Sequence, residues 1–343
     1  MEIDLNTFLT TVYDITDLLY QREYAPHKPT RPGKQPELSD SEVLTLALLA
    51  QWQTDRSERA FGRYAAKHWP AYFPRLLSQS QFNRRVRDLC GVLCRLGPAI
   101  AREVTRTLGV PAYEVLAGVP VPLMRRCRGE QHRCFAHEAA IGCGGRDRDW
   151  YYGVKLLTAV NAHGLITGFV VGPSSTEERW LAEALLRWRA SPTAPPPKAT
   201  DLEAYLGSRG PKRGARRGPT GAVGLVSGVG QATAAGYIAD LGFAGERWAG
   251  HWQVDYGAAV LTQAAYDGQV QEAALDRWLH GLRQVVEQGN QGLTAMLGLA
   301  FPRARTWWGL LPRLAAKVAA FNVSLYLNHL HARPTFAFVT PFA

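Results

Sequence analysis

At 343 residues the chain is long for one domain and short for three, and its 46% hydrophobic content suffices for a sizeable packed core. A formal charge of +10 and a pI near 9.5, with Lys and Arg spread along the whole length, make polyanions the expected partners and nucleic acid the first of them. A membrane partner is not expected, because no apolar run approaches ~18 residues and MEIDLNTFLT has no basic leader ahead of an apolar stretch; the expectation is a cytoplasmic, nucleoid-associated protein whose five cysteines, an odd number, stay reduced.

Residues 1–108 read as all-helical. Ser39 and Glu42 form a capping box ahead of Val43, Leu44, Leu46, Leu48 and Leu49, and a second helix is expected from Ser57 to Trp69. A third starts at a second box, Ser78 with Gln81, and repeats Phe82, Val86, Leu89 and Leu93 at helical spacing. Arg84, Arg85 and Arg87 fall outside that stripe, which suits either the recognition helix of a helix-turn-helix-like module or a solvated basic face.

After Gly109 the pattern changes, and 109–343 reads as a second domain. Tyr113 to Pro122, Tyr151 to Val160 and Leu165 to Val171 are strand candidates, the last two joined by Asn161, Ala162, His163 and Gly164 as an antiparallel hairpin. Ser175 and Glu178 are placed to cap a helix with Trp180, Leu181, Ala184, Leu185 and Trp188 on one side. The stretch from about 190 to 235, with Pro192, Pro195, Pro196 and Pro197 and then Lys212, Arg213, Arg216 and Arg217 among glycines, reads as a mobile insertion whose cations either grip phosphates or solubilise a loop. Gly236 to Ala239 is a short strand ending at Asp240, Val254 to Leu261 a fifth strand, Gln271 to Leu297 a long helix, and a last helix opens near Pro312. Three strands, a helix, two more strands and closing helices describe a mixed five-stranded α/β sheet flanked by helices.

Two carboxylates stand out: Asp240 at a strand end, and Glu287 on the long helix. There Asp276, His280, Arg283, Glu287 and Asn290 share a polar face opposite Leu275, Trp278, Leu279, Leu282 and Val286. Such residues can hold hard cations, although the same face also suits a solvated Arg283–Glu287 ion pair.

The order of the segments LSDSEVLTLALLAQW, VLAGVPVPLMRRCRG, RDWYYGVKLLTAV, VVGPSSTEERWLAEALL, YIADLGFAG, LRQVVEQGN and LPRLAAKVAAFNVSLYLN resembles that of bacterial insertion-sequence transposases. Those enzymes carry an Asp, Asp, Glu triad on an RNase H-like fold. The resemblance implies a first Asp just before a Pro-x-Pro run, a second at the end of a later strand near a Gly-aromatic pair, and a Glu on the following helix. The matching positions are Ala117, Asp240 and Glu287. It also implies two Mg²⁺ ions about 4 Å apart, replaceable by Mn²⁺, a water attacking a phosphodiester to free a 3′-hydroxyl, and strand transfer by that hydroxyl. The implied partners are double-stranded DNA, as terminal inverted repeats and target, and a second copy of the chain.

At position 117 the chain departs from this pattern, since a methyl group cannot bridge two ions. Glu114 is a poor substitute because an odd offset on a period-two strand points to the other sheet face, and Asp147 or Asp149 would have to reach in from the start of the next strand. The expectation is therefore a protein that binds DNA without cutting it, with Lys155 and Arg283 near the scissile phosphates. Two other classes stay open: a non-catalytic transposase derivative used for regulation or targeting, and a basic structural or RNA-binding protein. Cys127, Cys134, His137 and Cys143, with His132, lack the paired Cys-x-x-Cys spacing of a zinc site, and Cys90 and Cys94 suit helix packing.

Overall fold

A computed structural model describes residues 3–28, 36–53, 57–129, 135, 138–144, 149–191, 226–230, 232, 234, 236–262 and 273–337, without the side chains of 226–229, 273–276, 280 and 283. The molecule is α/β, with a mixed sheet between helical layers. Five helices come first: α1 (Leu5–Glu23), α2 (Asp40–Leu49), α3 (Glu58–His68), α4 (Gln79–Asp88) and α5 (Cys90–Leu108). Both expected capping boxes form. Ser39 accepts from the Glu42 N–H at 3.1 Å while Glu42 accepts from the Ser39 N–H at 2.6 Å, and Ser78 and Gln81 do the same for α4.

β1 (Glu114–Arg125) leads through a one-turn helix, α6 (Arg126–Gly129), to β2 (Ala140–Gly144), β3 (Asp149–Asn161) and β4 (Ile166–Pro173). After these come α7 (Glu178–Ala190), β5 (Val226–Val229), β6 (Gly236–Ala239), α8 (Glu246–Tyr256) and β7 (Ala259–Thr262). α9 (Ala273–Gln291) then runs into a π-helical turn, Gly292–Met296, and α10 (Trp307–Leu330) closes the described fold. The strands lie in the order β5-β4-β3-β1-β6-β7, with β2 also paired to β3. β1, β3, β4 and β5 pair antiparallel, whereas β6 runs parallel to both β1 and β7.

Alternation along the strands assigns each face to its helices. Leu116, Leu157, Tyr237 and Ala239 meet Leu181, Leu185 and Trp252 of α7 and α8. Val115, Val119, Leu156 and Val160 belong to the core that holds Leu314 and Val318 of α10, Ile100 of α5 and Phe8 of α1, so the helices of residues 5–108 and the sheet share one apolar interior. α10 lies so close to α5 that a Cβ on Gly97 would stand 3.0 Å from Val318 Cγ1 and 3.3 Å from the Ala319 nitrogen. Beside that crossing, Asn322 is fully buried: its Nδ2 donates to the Gly97 and Ile166 carbonyls and its Oδ1 accepts from the Ile166 N–H. α10 is the one described helix long and apolar enough to cross a membrane, and it is buried inside the protein.

The sheet has seven strands among the described residues rather than the expected five. β2 and β5 have the sequences AIGCG and VSGV, too short and glycine-rich to show alternation, and β5 lies inside the stretch read as an insertion. Residues 192–225, including Lys212, Arg213, Arg216 and Arg217, lie outside the described residues. Half of the expected strand Val254–Leu261 is instead the end of α8 and its αL cap at Gly257 (φ 64°), and β7 has only four residues. α7 has no Ser175–Glu178 box, since Glu177 is its N-cap and makes no side-chain capping bond.

Lys317, on α10, is buried and its ammonium donates to the Leu297 carbonyl just past the π turn. Burial, with Arg313 nearby, pulls its pKa down to about 8. Below pH 8 both folded and unfolded states hold the proton, and the folded state bears the full cost of a buried charge. Between pH 8 and the ordinary lysine value of 10.5 only the unfolded state holds it, so stability rises with pH. Relative to Lys317→Met, wild-type protein should therefore gain on the order of 3 kcal/mol across that window in pH-dependent urea unfolding. A flat difference between the two proteins would refute the assignment.

Candidate active site

β1 and β6 pair in parallel from Glu114 opposite Tyr237 to Leu116 opposite Ala239, so the next residues, Ala117 and Asp240, stand side by side where β6 ends. Asp240 then caps the 3₁₀ turn Leu241–Phe243, its Oδ1 accepting from the Gly242 N–H at 2.9 Å. α9 packs across the same region of β1 and presents Val286, Glu287 and Asn290. Val115, Leu116, Ala117, Gly118, Asp240, Val286, Glu287 and Asn290 together line one cavity of about 150 Å³. The three positions separated by up to 170 residues thus converge on one small polar-mouthed recess, with alanine at its β-strand wall.

Thr158, opposite Ala117 in the β1–β3 ladder and buried, adds a hydroxyl 3.3 Å from the Ala117 carbonyl and 3.5 Å from Asn290 Oδ1. A second polar group meets the site from the other sheet face. The Glu178 carboxylate fills the space a side chain would take at Gly118 and at Gly242, where an added Cβ would stand 2.4 Å from its Oε1 and 2.5 Å from its Oε2. The same Cβ on Gly242 would stand 3.0 Å from Asp240 Oδ1, which places Glu178 and Asp240 around one glycine. Burial pushes the Glu178 carboxyl above its ordinary pKa and the Asp240 charge adds to this, while Lys155, 3.6 Å away, opposes both. The sequence offered Glu178 only as a helix cap; the glycines facing it were the signal that a side chain occupies that space.

Neither described alternative to the missing carboxylate stands at the cavity. Glu114 faces away, buried in an ion pair with Arg189 at 2.5 Å. Asp149 opens β3 opposite Gly144, nine residues from Thr158 and so roughly 30 Å along the strand from Ala117, and Asp147 lies outside the described residues.

The expected DNA-facing cations separate into groups. Arg84 and Arg87 are exposed on α4. Arg85 is engaged within the fold: its guanidinium holds Asp40 at 2.6 Å and the Leu38 carbonyl at 3.2 Å, in a cluster with Lys28 and the Tyr20 hydroxyl, so it braces α4 against α2. Lys155 lies on the α7 face, bonded to the Thr176 carbonyl and beside Glu178, and does not line the cavity. The Arg283 side chain lies outside the described set, as do His132, Cys134 and His137, while Cys127 and Cys143 are exposed and Cys90 and Cys94 buried on α5.

The oxygens of Asp240, Glu287, Asn290 and Thr158 suit a hard divalent cation. They supply no third carboxylate able to bridge a pair of ions, and no group of three or more His, Cys, Asp or Glu able to hold a metal occurs among the described residues. The cavity lining thus carries two carboxylates, Asp240 and Glu287, with alanine where the resemblance implies a third. No family model matches the chain, and neither the curated proteins nor the solved structures searched contain a match.

Proposed function

We propose that this chain is a transposase-type DNA-binding protein with an RNase H-like sheet, in which the nuclease site is disabled at Ala117. The observation that carries the proposal is the shared cavity of Ala117, Asp240 and Glu287, the three positions singled out by motif order. The net charge of +10 supports a polyanionic partner, and the exposed Arg84 and Arg87 on a capped amphipathic helix support helix-turn-helix-like contact with duplex DNA. In the intact pattern two Mg²⁺ ions activate the water and stabilise the leaving oxygen; here Asp240 and Glu287 would hold at most part of that centre. DNA-end pairing would use two copies of the chain.

Fluorescence anisotropy with a random-sequence 40-base-pair duplex tests the binding half. Affinity should fall on the order of 10³-fold between 50 mM and 200 mM salt, as for six or more phosphate contacts, with no nicking in Mg²⁺. Salt-insensitive or absent duplex binding would overturn the proposal, and a preference for single-stranded RNA would move the protein to the RNA-binding class.

A further inference from the structure

Between the π turn and α10, residues 298–306 form a loop whose base is fixed and whose outer side chains are bare. Leu299 is buried and its N–H donates to the Leu293 carbonyl at 3.2 Å; Pro302 is buried; the Leu297 carbonyl accepts from Lys317. The Phe301 N–H donates to the Pro122 carbonyl at 2.8 Å, which ties the loop to β1. Phe301 and Arg303 adopt left-handed backbone (φ 53° and 55°), and this brings the chain round so that Pro302 is covered while its neighbours are not.

What the loop exposes is unusual in kind. Phe301 is 51% exposed and Trp308, at the start of α10, 63% exposed, although large aromatics are normally buried. Arg303 and Arg305 are exposed, and neither has an acidic partner among the described residues. Unpaired guanidinium groups flanked by bare aromatic rings match a sugar–phosphate backbone and the base edges beside it better than they match a protein surface, which would supply carboxylates or an apolar pocket. Pro122 lies five residues beyond Ala117 on β1, roughly 17 Å from the cavity, or about five base steps of duplex.

We infer that residues 301–308 form a DNA-gripping surface, with Arg303 and Arg305 each holding a phosphate and Phe301 and Trp308 packing on sugar and base edges about five nucleotides from the cavity. The inference rests on the DNA-binding function proposed above. Its test is the salt dependence of binding to the same random duplex. Arg303→Ala with Arg305→Ala should reduce the slope of log affinity against log salt by about 1.8, which is about a twelve-fold smaller loss of affinity between 50 mM and 200 mM. Lys at both positions should restore the slope, which separates lost contacts from lost folding. Trp308→Ala should weaken binding equally at every salt concentration, giving a parallel line. If wild type binds steeply and the double alanine variant keeps its slope and melting temperature, the loop assignment fails while the function stands. An unchanged slope accompanied by a change in sedimentation would likewise overturn it, making this face a contact between copies. If wild type does not bind the duplex, the failure belongs to the function and takes the loop assignment with it.

Discussion

Ala117→Asp should give DNA cleavage in Mg²⁺ or Mn²⁺ on the order of 10³-fold above that of wild type. The substitution places a carboxylate on the same strand face as Val115 and Val119, at the wall of a cavity that has room for it: about 150 Å³, against roughly 30 Å³ for a water molecule. Without metal, the new carboxylate faces Asp240 and Glu287, and like charges in one recess repel one another and lower stability. Divalent cation relieves that repulsion, so Mg²⁺ should raise the melting temperature of the variant more than that of wild type. Cleavage is read on duplex carrying the sequences that flank the gene. Asp240→Asn or Glu287→Gln, added to Ala117→Asp, should abolish it. A restored protein that neither nicks DNA nor is stabilised by Mg²⁺ would sink the nuclease reading, whether the alanine was introduced or inherited.

Arg189→Ala should cost about 3–5 kcal/mol in urea unfolding, the usual loss when one member of a buried pair is removed. The guanidinium and Glu114 are both almost completely buried. One side chain joins four strands: it donates to Glu114 of β1 at 2.5 Å, Thr167 of β4 at 2.9 Å, Tyr237 of β6 at 2.9 Å and the Gly230 carbonyl beyond β5 at 3.0 Å. Lysine cannot reproduce this fork, so Arg189→Lys should recover little. Replacing both partners, Glu114→Leu with Arg189→Met, should cost less than either single change, because no buried charge is left uncompensated. A loss below about 1 kcal/mol for Arg189→Ala would show that water reaches the pair. Since β1 and β6 carry positions 117 and 240, a loosened joint should also lower the Mg²⁺-dependent cleavage of the Ala117→Asp protein.

The fold was legible where local chemistry decides it. Ser39 with Glu42 and Ser78 with Gln81 satisfy N-terminal amides within one turn, and the Gly236–Ala239 strand and the hairpin at Asn161–Gly164 emerge where read. The segment ending at Leu261 reads as one strand because Val254, Ala258, Ala259, Val260 and Leu261 look strand-like in isolation. Trp248, Trp252 and Tyr256 at helical spacing, followed by Gly257, carried the better signal. Glu183 shows what a sequence cannot disclose. It sits on α7 as an ordinary glutamate, yet its buried carboxylate accepts from Trp252 Nε1 at 3.0 Å and the Tyr256 hydroxyl at 2.5 Å, and His251 Nε2 lies 3.0 Å away, all of them on a helix 68 or more residues later. The site divides the same way. Positions 117, 240 and 287 came from motif order, whereas Thr158 and Glu178 reach it through strand pairing and through space left by glycines.

The Asn322 amide that clasps Gly97 and Ile166 also sets the order in which the protein can be completed during synthesis. Helices made first wait for a partner 225 residues downstream, and at ribosomal speeds of about 5–20 residues per second that is a delay of roughly ten to forty-five seconds. Until α10 emerges, the side of α5 around Gly97 that packs on it lacks its cover, so the nascent chain passes through a long interval with part of its apolar interior open to chaperones. An interior that closes only when α10 arrives is a poor candidate for division into independently folding halves, and a product shortened before α10 would be left as prey for proteases.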